Sequence, residues 1–395
     1  MNDSFEISRL PKIIFGAGSL QRLTELAAGF GPSWLLVTGT QTLSRCNAWP
    51  AIASAMKSDK ITWKQLVIDG EPTPDLIDSL VKAQAGHTID CVIGLGGGSA
   101  LDAAKAIAGL LRPGNSVRDH LEGVGPELPY RGPATPFIAV PTTAGTGAEA
   151  TKNAVLSEGG AHAFKKSFRD ERLIPEYAII DPDLLATCPP ALIAANGMDA
   201  FTQLLESLVS TRANAFTDAL ALDGLTRVRD SLLPWYLGAE EAATHRANMA
   251  YAALLSGITL AQVGLGSVHG LAAPLGAFFP VPHGVACGTL VAEATRINIA
   301  ALHARAPNDS ALSKYAHVGR LLLRDEALNP DSAINALITT LTHWTEAMDL
   351  PRLSVFGITE ADIPSLVANS RGSSMKTNPI ALTDAEIGAV IRARL

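Results

Sequence analysis

Basic residues are the scarcer charge in this 395-residue chain: 31 Lys and Arg stand against 38 Asp and Glu, a formal net charge of −7. Phosphate contacts need clustered Lys and Arg, so this balance argues against a broad nucleic-acid surface. The basic runs present, such as Lys165-Lys166 with Arg169, are short. Cysteine is scarce too. Cys46, Cys91, Cys188 and Cys287 form no C-x-x-C pair, which removes zinc-knuckle and thioredoxin-like readings and favours a reducing, cytoplasmic compartment. A G-x-x-x-x-G-K-[ST] motif is absent, which disfavours a P-loop NTPase. The opening MNDSFEISRLPK has no apolar h-region, so a secretory signal is not expected. No stretch reaches about 18 uninterrupted apolar residues, and no transmembrane helix is expected. Internal repeats and low-complexity segments are missing as well.

What is there is a globular composition, 47% apolar and 17% charged. It is spread over a length too great for one small core, so two domains are expected. In the first half, short apolar runs read as buried strands: Trp34–Val37, Ile61–Val67, Cys91–Leu95 and Phe137–Val140. Helical runs such as Leu76–Ala85 and Ala100–Leu111 lie between them, and the alternation predicts a parallel, doubly wound, Rossmann-like sheet. Beyond Asp181-Pro182 the sequence becomes Ala- and Leu-rich with long helical periods. The expectation is an α/β dinucleotide-binding domain over residues 1–185 and an all-helical metal- and substrate-binding domain over 186–395.

Two loops carry phosphate-binding signals. Gly94-Leu95-Gly96-Gly97-Gly98-Ser99 follows a predicted strand and opens a helix, where glycines admit a pyrophosphate and the helix N-terminus offers N–H groups. Asp102 is read as helping to cap that helix. The bland alternative is a tight strand–helix turn, since Ser99 occupies the last place of a G-x-G-x-x-G pattern. The second loop, Pro141 to Glu149, holds Thr142, Thr143 and Thr146 and would face the same crevice. Its alternative is a Thr-rich turn whose hydroxyls cap a helix.

Asp199 and Gln203 sit four residues apart, on one face of a predicted helix. His269 and His283 lie in two Gly/Pro-punctuated segments. One carboxylate and two imidazoles suit Zn²⁺ or Fe²⁺ with a position left for substrate oxygen. Taken singly, each His is more often structural and an Asp at a helix start more often a cap. The other seven histidines, His87, His245 and His343 among them, are read as structural or superficial. Phe201, Leu271, Phe278 and Phe279 are either an apolar cleft wall or core.

Together these segments resemble the iron-containing alcohol dehydrogenase family along almost the whole chain. The match runs from Phe15-Gly16-Ala17-Gly18-Ser19-Leu20 through Gly96–Ser99 with Asp102 and Lys105, and Pro141–Thr143 to Glu149. It continues with Asp181-Pro182 and Gly197–Ala200, and ends at His269-Gly270, Pro282–Gly284 and Asn378-Pro379. The resemblance implies that Gly96, Gly97, Gly98 and Ser99 hold a cofactor pyrophosphate and that Thr142, Thr143 and Thr146 line the cofactor cleft. It places Lys165 near the cofactor and makes Asp199, His269 and His283 the metal-binding, catalytic group. Two positions depart from the family pattern: Gln203 and Ala273 replace the usual histidines. Gln203 would either coordinate through its carbonyl oxygen, a weaker donor than imidazole, or only hydrogen-bond a metal-bound water or a neighbouring backbone group, leaving three protein ligands; the related glycerol dehydrogenases hold zinc with one Asp and two His. Gly39 stands where NAD-preferring members place an Asp, which leaves room for NADPH; otherwise it is only a turn residue.

The expected activity is hydride transfer between a small alcohol or aldehyde and NAD(P)H, assisted by a divalent metal, Fe²⁺ or Zn²⁺. Competing readings are a maleylacetate reductase- or glycerol dehydrogenase-like enzyme, and a nucleotide-binding relative that has lost catalysis. Dehydroquinate synthase is disfavoured, because no basic substrate-phosphate constellation is evident. A cytoplasmic homodimer, binding neither nucleic acid nor membrane, completes the expectation.

Overall fold

The computed structural model describes residues 4–160 and 163–395. The first three residues of the MNDS segment and His162, one of the seven histidines set aside above, lie outside the described residues. Two compact units emerge: Ser8–Cys188, and Pro189–Leu395 with the N-terminal stretch ending at Ile7.

The first unit runs β1 (Lys12–Phe15), α1 (Leu23–Ala28), β2 (Ser33–Gly39), α2 (Thr42–Arg45), α3 (Trp49–Ser58), β3 (Thr62–Ile68), α4 (Pro74–Lys82), β4 (Cys91–Gly96), α5 (Gly98–Leu110), β5 (Phe137–Pro141), β6 (Asn153–Glu158), β7 (Phe164–Arg169) and β8 (Tyr177–Ile180). Six strands form one sheet in the order β1-β8-β5-β4-β2-β3, with β6 and β7 a separate hairpin. Every pairing in the large sheet is parallel. The period of two along β2 explains why both faces must be covered. Trp34 and Leu36 pack with Ile52 and Met56 of α3 on one face. Leu35 and Val37 pack with Ile77 of α4 and Leu101 and Ile107 of α5 on the other. The chain leaves β2 outward to β3 and then returns to β4 on the opposite side of β2. Open α/β sheets bind ligands at such a reversal, beyond the carboxyl ends of the strands.

The four strands read from the sequence are all present. β1, β8 and the β6–β7 hairpin were not anticipated. β1 and β8 are four residues each, too short for a periodicity signal, and the lysines of β7 mask its alternation.

The second unit is helical: α6 (Pro190–Val209), α7 (Ala215–Tyr236), α8 (Ala242–Val263), α9 (Ser267–Phe278), α10 (His283–Arg305), α11 (Ser310–Leu323), α12 (Pro330–Ala347), α13 (Ile363–Asn369) and α14 (Asp384–Arg392). α6 is buried all round from Gly197 to Val209, the pattern of a central helix. α10 is long and apolar enough to cross a membrane by composition, but 72% of its most apolar window is buried inside the protein, as in a core helix. Phe201 and Leu271 are fully buried and therefore core, Phe201 standing edge-on to Trp344, whereas Phe278 is exposed.

Candidate cofactor loops and metal centre

In the α/β unit, the glycine loop and the threonine loop touch. The ends of β2, β4 and β5 lie level, since Thr38 pairs with Leu95 and Gly96 with Pro141. Thr142 N–H donates to Gly96 O at 2.9 Å. A Cβ on Gly98 would fall 2.9 Å from the Thr146 methyl, and one on Gly96 would fall 3.3 Å from Gly39 N. Gly39, Gly96, Gly98, Thr143 and Thr146 thus meet at the reversal of strand order. α5 begins at Gly98 from an extended Gly97 with no side-chain cap, so the first-turn N–H groups of Gly98 and Ser99 are left for a ligand.

This corrects the reading of Asp102. It lies beyond the first turn of α5 and caps nothing; it accepts a hydrogen bond from the Val155 backbone and faces Lys105. Lys105 is fully buried. Its ammonium donates to Ala148 O at 2.8 Å and to Thr151 O, Thr151 Oγ1 and Asn153 O at 2.9 Å, pinning the end of the threonine loop to α5. Burial pushes Asp102 up to about 7 and Lys105 down to about 8, each opposed by the other's charge. Burial likewise pushes Glu149 up to about 7. Lys165 lies on β7, where its ammonium pairs with Glu71, a residue that also takes the Ser157 hydroxyl.

In the helical unit, Asp199, His269, His283 and Cys287 offer ligand atoms all within 4.8 Å of one another. Asp199, Gln203 and Glu206 share one face of α6, at spacings of four and seven. His269 Nε2 lies 3.2 Å from Asp199 Oδ1 and His283 Nε2 lies 3.7 Å from it. Cys287 Sγ is 3.6 Å from His269 Nε2 and 3.9 Å from His283 Nε2. Burial raises the Asp199 carboxyl, but the His283 and His269 imidazoles outweigh it and hold the group below its ordinary value. Burial lowers His269, and its neighbours Cys287, Asp199 and Glu206 more than reverse this, holding it well above the usual imidazole range. Burial pushes the Cys287 thiol up to about 12.

The sequence reading missed Glu206 and Cys287. Glu206 Oε2 holds His269 Nδ1 at 2.7 Å, while Oε1 accepts from Val268 N–H at 2.7 Å. Asn378 Oδ1 accepts from Ser267 N–H at 3.0 Å, so two side chains from elsewhere satisfy the uncapped start of α9. A carboxylate in the apolar run of α6, seven residues after Asp199, was the available signal for Glu206. For Cys287 it was the four-residue spacing from His283. Gln203 is buried, and its Oε1 accepts from the Ser256 hydroxyl at 2.7 Å.

A divalent cation fits this group. Asp199 Oδ2 is buried with no hydrogen-bond partner, a costly state for a carboxylate oxygen unless a cation takes it. The donors are one oxygen, two nitrogens and a sulfur, the chemistry of zinc and related metals. His269 is already oriented: with Nδ1 bonded to Glu206, Nε2 faces Asp199.

Comparison with known proteins gives one answer over both units. The iron-containing alcohol dehydrogenase family model matches residues 11–182, and the C-terminal model of the same family matches residues 193–395. Lactaldehyde reductase of Escherichia coli is 32% identical over 359 residues, 89% of each chain. The NADPH-dependent butanol dehydrogenase of Clostridium saccharobutylicum is 28% identical over 363 residues, 91% of this chain and 88% of its own. Among solved structures, a 1,3-propanediol oxidoreductase superposes with a TM-score of 0.89 at 26% identity, covering 99% of this chain and all of its own.

Proposed function

The chain belongs to the iron-containing alcohol dehydrogenase family and is an oxidoreductase of alcohols and aldehydes, and from that premise we propose that it interconverts a small alcohol and its aldehyde with NADP(H), using one divalent metal. The observation that carries the metal reading is the Asp199 carboxylate, whose Oδ1 lies 3.2 and 3.7 Å from the His269 and His283 Nε2 atoms while its Oδ2 is buried with no hydrogen-bond partner. Gly96, Gly97, Gly98 and Ser99 hold the cofactor pyrophosphate at the start of α5, and Thr142, Thr143 and Thr146 line its cleft. Lys165 on β7, paired with Glu71, would by the family resemblance lie near that cofactor. Gly39 puts no carboxylate at the end of β2, so nothing there repels a 2′-phosphate.

In the reducing direction the nicotinamide, when bound, would supply a hydride to the carbonyl carbon, and a proton would reach the carbonyl oxygen. The metal, when bound, supplies Lewis-acid polarisation of that oxygen. Asp199, His269 and His283 hold the metal, and Glu206 fixes the His269 ring by taking its Nδ1 proton in a hydrogen bond. Gln203 presents its amide on the same α6 face, sharing its oxygen with Ser256. Ala273 carries no titratable group, so the proton comes from water. The same reading makes the enzyme a cytoplasmic homodimer. It is supported by four unpaired cysteines and by an edge strand, β1, that exposes Ile13 and Phe15.

The test is oxidation of NADPH and NADH by a series of small aldehydes with metal-reconstituted protein. Turnover with at least one aldehyde is expected. A protein that binds cofactor and metal yet turns over nothing would be the inert relative instead.

A further inference from the structure

We propose that Cys287 is the fourth protein donor of the metal centre, so that the cation is held by Asp199, His269, His283 and a cysteine thiolate. The proposal rests on the metal-dependent reading above and adds a ligand that the expected donor set does not contain.

Four of the six donor–donor separations are close to those of a tetrahedral site, and all six lie within 4.8 Å. With zinc–nitrogen distances of 2.0–2.1 Å and a zinc–sulfur distance of 2.3 Å, the edges of the tetrahedron are about 3.4 Å between nitrogen and oxygen and about 3.6 Å between nitrogen and sulfur. The corresponding separations are 3.2 and 3.7 Å from Asp199 Oδ1 to the two imidazoles and 3.6 and 3.9 Å from Cys287 Sγ to them. His283 and Cys287 are one turn apart on α10 and so project from the same face. That face meets α6 closely: a Cβ on Gly284 would fall 2.5 Å from Ala195 O, and one on Gly288 would fall 2.9 Å from the Met198 Cβ. Asp199, one residue beyond Met198, is thereby held against the two α10 donors.

Gln203 is the weaker candidate for the fourth place. Its carbonyl oxygen already takes the Ser256 hydroxyl, and a neutral amide gives a cation less than a thiolate does. Cys46, Cys91 and Cys188 all belong to the Ser8–Cys188 unit, which leaves Cys287 as the sole cysteine of the helical unit and gives the test a clean background. On coordination the S–H bond breaks, the proton leaves to solvent and the sulfur–metal bond forms. A soft sulfur among nitrogen and oxygen donors shifts preference toward zinc and cobalt over iron. With four protein donors, a substrate oxygen would be a fifth ligand, a number that zinc sites tolerate.

Cobalt(II) reports both questions in one spectrum. Visible d–d bands register a bound ion whatever its ligands, and a near-ultraviolet thiolate-to-cobalt charge-transfer band registers sulfur. Metal-stripped wild-type protein titrated with Co²⁺ should show both. Cys287→Ser should lose the ultraviolet band and bind the ion about 10–100-fold more weakly, the scale on which metal sites respond to changes in their surroundings. Gln203→Ala, and a triple Ser variant of Cys46, Cys91 and Cys188, should keep the band. Visible bands without a sulfur band in the wild type, or a sulfur band that survives Cys287→Ser, overturn thiolate ligation and leave the metal centre standing. A wild-type protein that takes up no cobalt, zinc or iron overturns this proposal together with the metal-dependent reading. The wild-type spectrum decides the matter even if the serine variant fails to fold.

Discussion

Glu206 Oε2 lies 2.7 Å from His269 Nδ1, and both groups are buried. The second oxygen of the same carboxylate ties down the Val268 N–H, so one side chain sets the tautomer of the imidazole and the start of the helix that carries it. Glu206→Gln keeps an acceptor for one of these bonds but loses the charge. Metal retention, followed by chelator titration, should fall about 10–100-fold, and the NMR shift of the His269 Nδ1 proton in the zinc-loaded protein should move with it. Unchanged retention would show that His269 needs no such partner.

Removal of the metal is the second expectation. Chelator-treated protein should lose at least about 10²-fold in kcat/KM, judged from the cost of disturbing even the surroundings of a metal ligand, and recover on adding Zn²⁺ or Fe²⁺. Full activity with no metal detectable by elemental analysis would sink the reading of Asp199, His269 and His283 as metal ligands.

Cofactor choice turns on Gly39. A Cβ there would meet Thr42 Oγ1 at 3.1 Å, a contact that rotation of the threonine can relieve. Gly39→Asp is therefore accommodated, and it places a negative charge where a 2′-phosphate would sit. The ratio of kcat/KM for NADPH over NADH should drop by about tenfold or more, equivalent to about 1.4 kcal/mol. A wild-type enzyme that strongly prefers NADH would refute the premise before the variant is made.

These residues also show how far the sequence could be read. Trp34–Val37 and Cys91–Leu95 were legible because a strand covered on both faces becomes a continuous apolar run. Gly96 to Ser99 were legible because a β-to-helix turn that must admit a phosphate leaves glycines at fixed offsets. The β6–β7 hairpin was not, since Lys165 and Lys166 break the alternation that would have marked it. In the helical unit, Asp199, His269 and His283 stood out by chemistry. Cys287 did not, because a single cysteine in an apolar helix looks like core until α6 and α10 are placed together. Asp102 was misjudged for a related reason: α5 starts at Gly98 rather than Ala100, and those two residues separate a cap from a buried partner of Lys105.

A pH dependence follows from Glu149. Burial raises it from 4.5 to about 7. Its folded value lies above its unfolded one, so the folded state holds this proton more tightly. The stability it contributes is full below the unfolded value and is lost as pH rises through about 7. Glu149→Gln mimics the protonated form and should lack this loss. The difference in Tm between wild type and variant should therefore move in the variant's favour from pH 5 to pH 8. A difference that stays flat across that window counts against a raised Glu149.

Gly284→Ala tests the close contact of α10 with α6 without touching a donor. The added methyl would press on the Ala195 carbonyl, and overpacking of this kind costs about 1–3 kcal/mol. Denaturant unfolding should show that loss, with weaker cobalt binding in the protein that remains folded. Retention equal to wild type would mean that the donors, not the helix contact, set their own spacing.

The contact made by Gly284 and Gly288 separates the dimensions of the centre from its chemistry. Backbone against the Ala195 carbonyl at Gly284, and against the Met198 Cβ at Gly288, fixes how far apart α6 and α10 stand, whatever side chains they carry toward the ion. A change at residue 203 or 287 can then alter the set of donors while the frame keeps its gauge. The helix frame then sets the size of the site, and the side chains at its rim set which ion it holds.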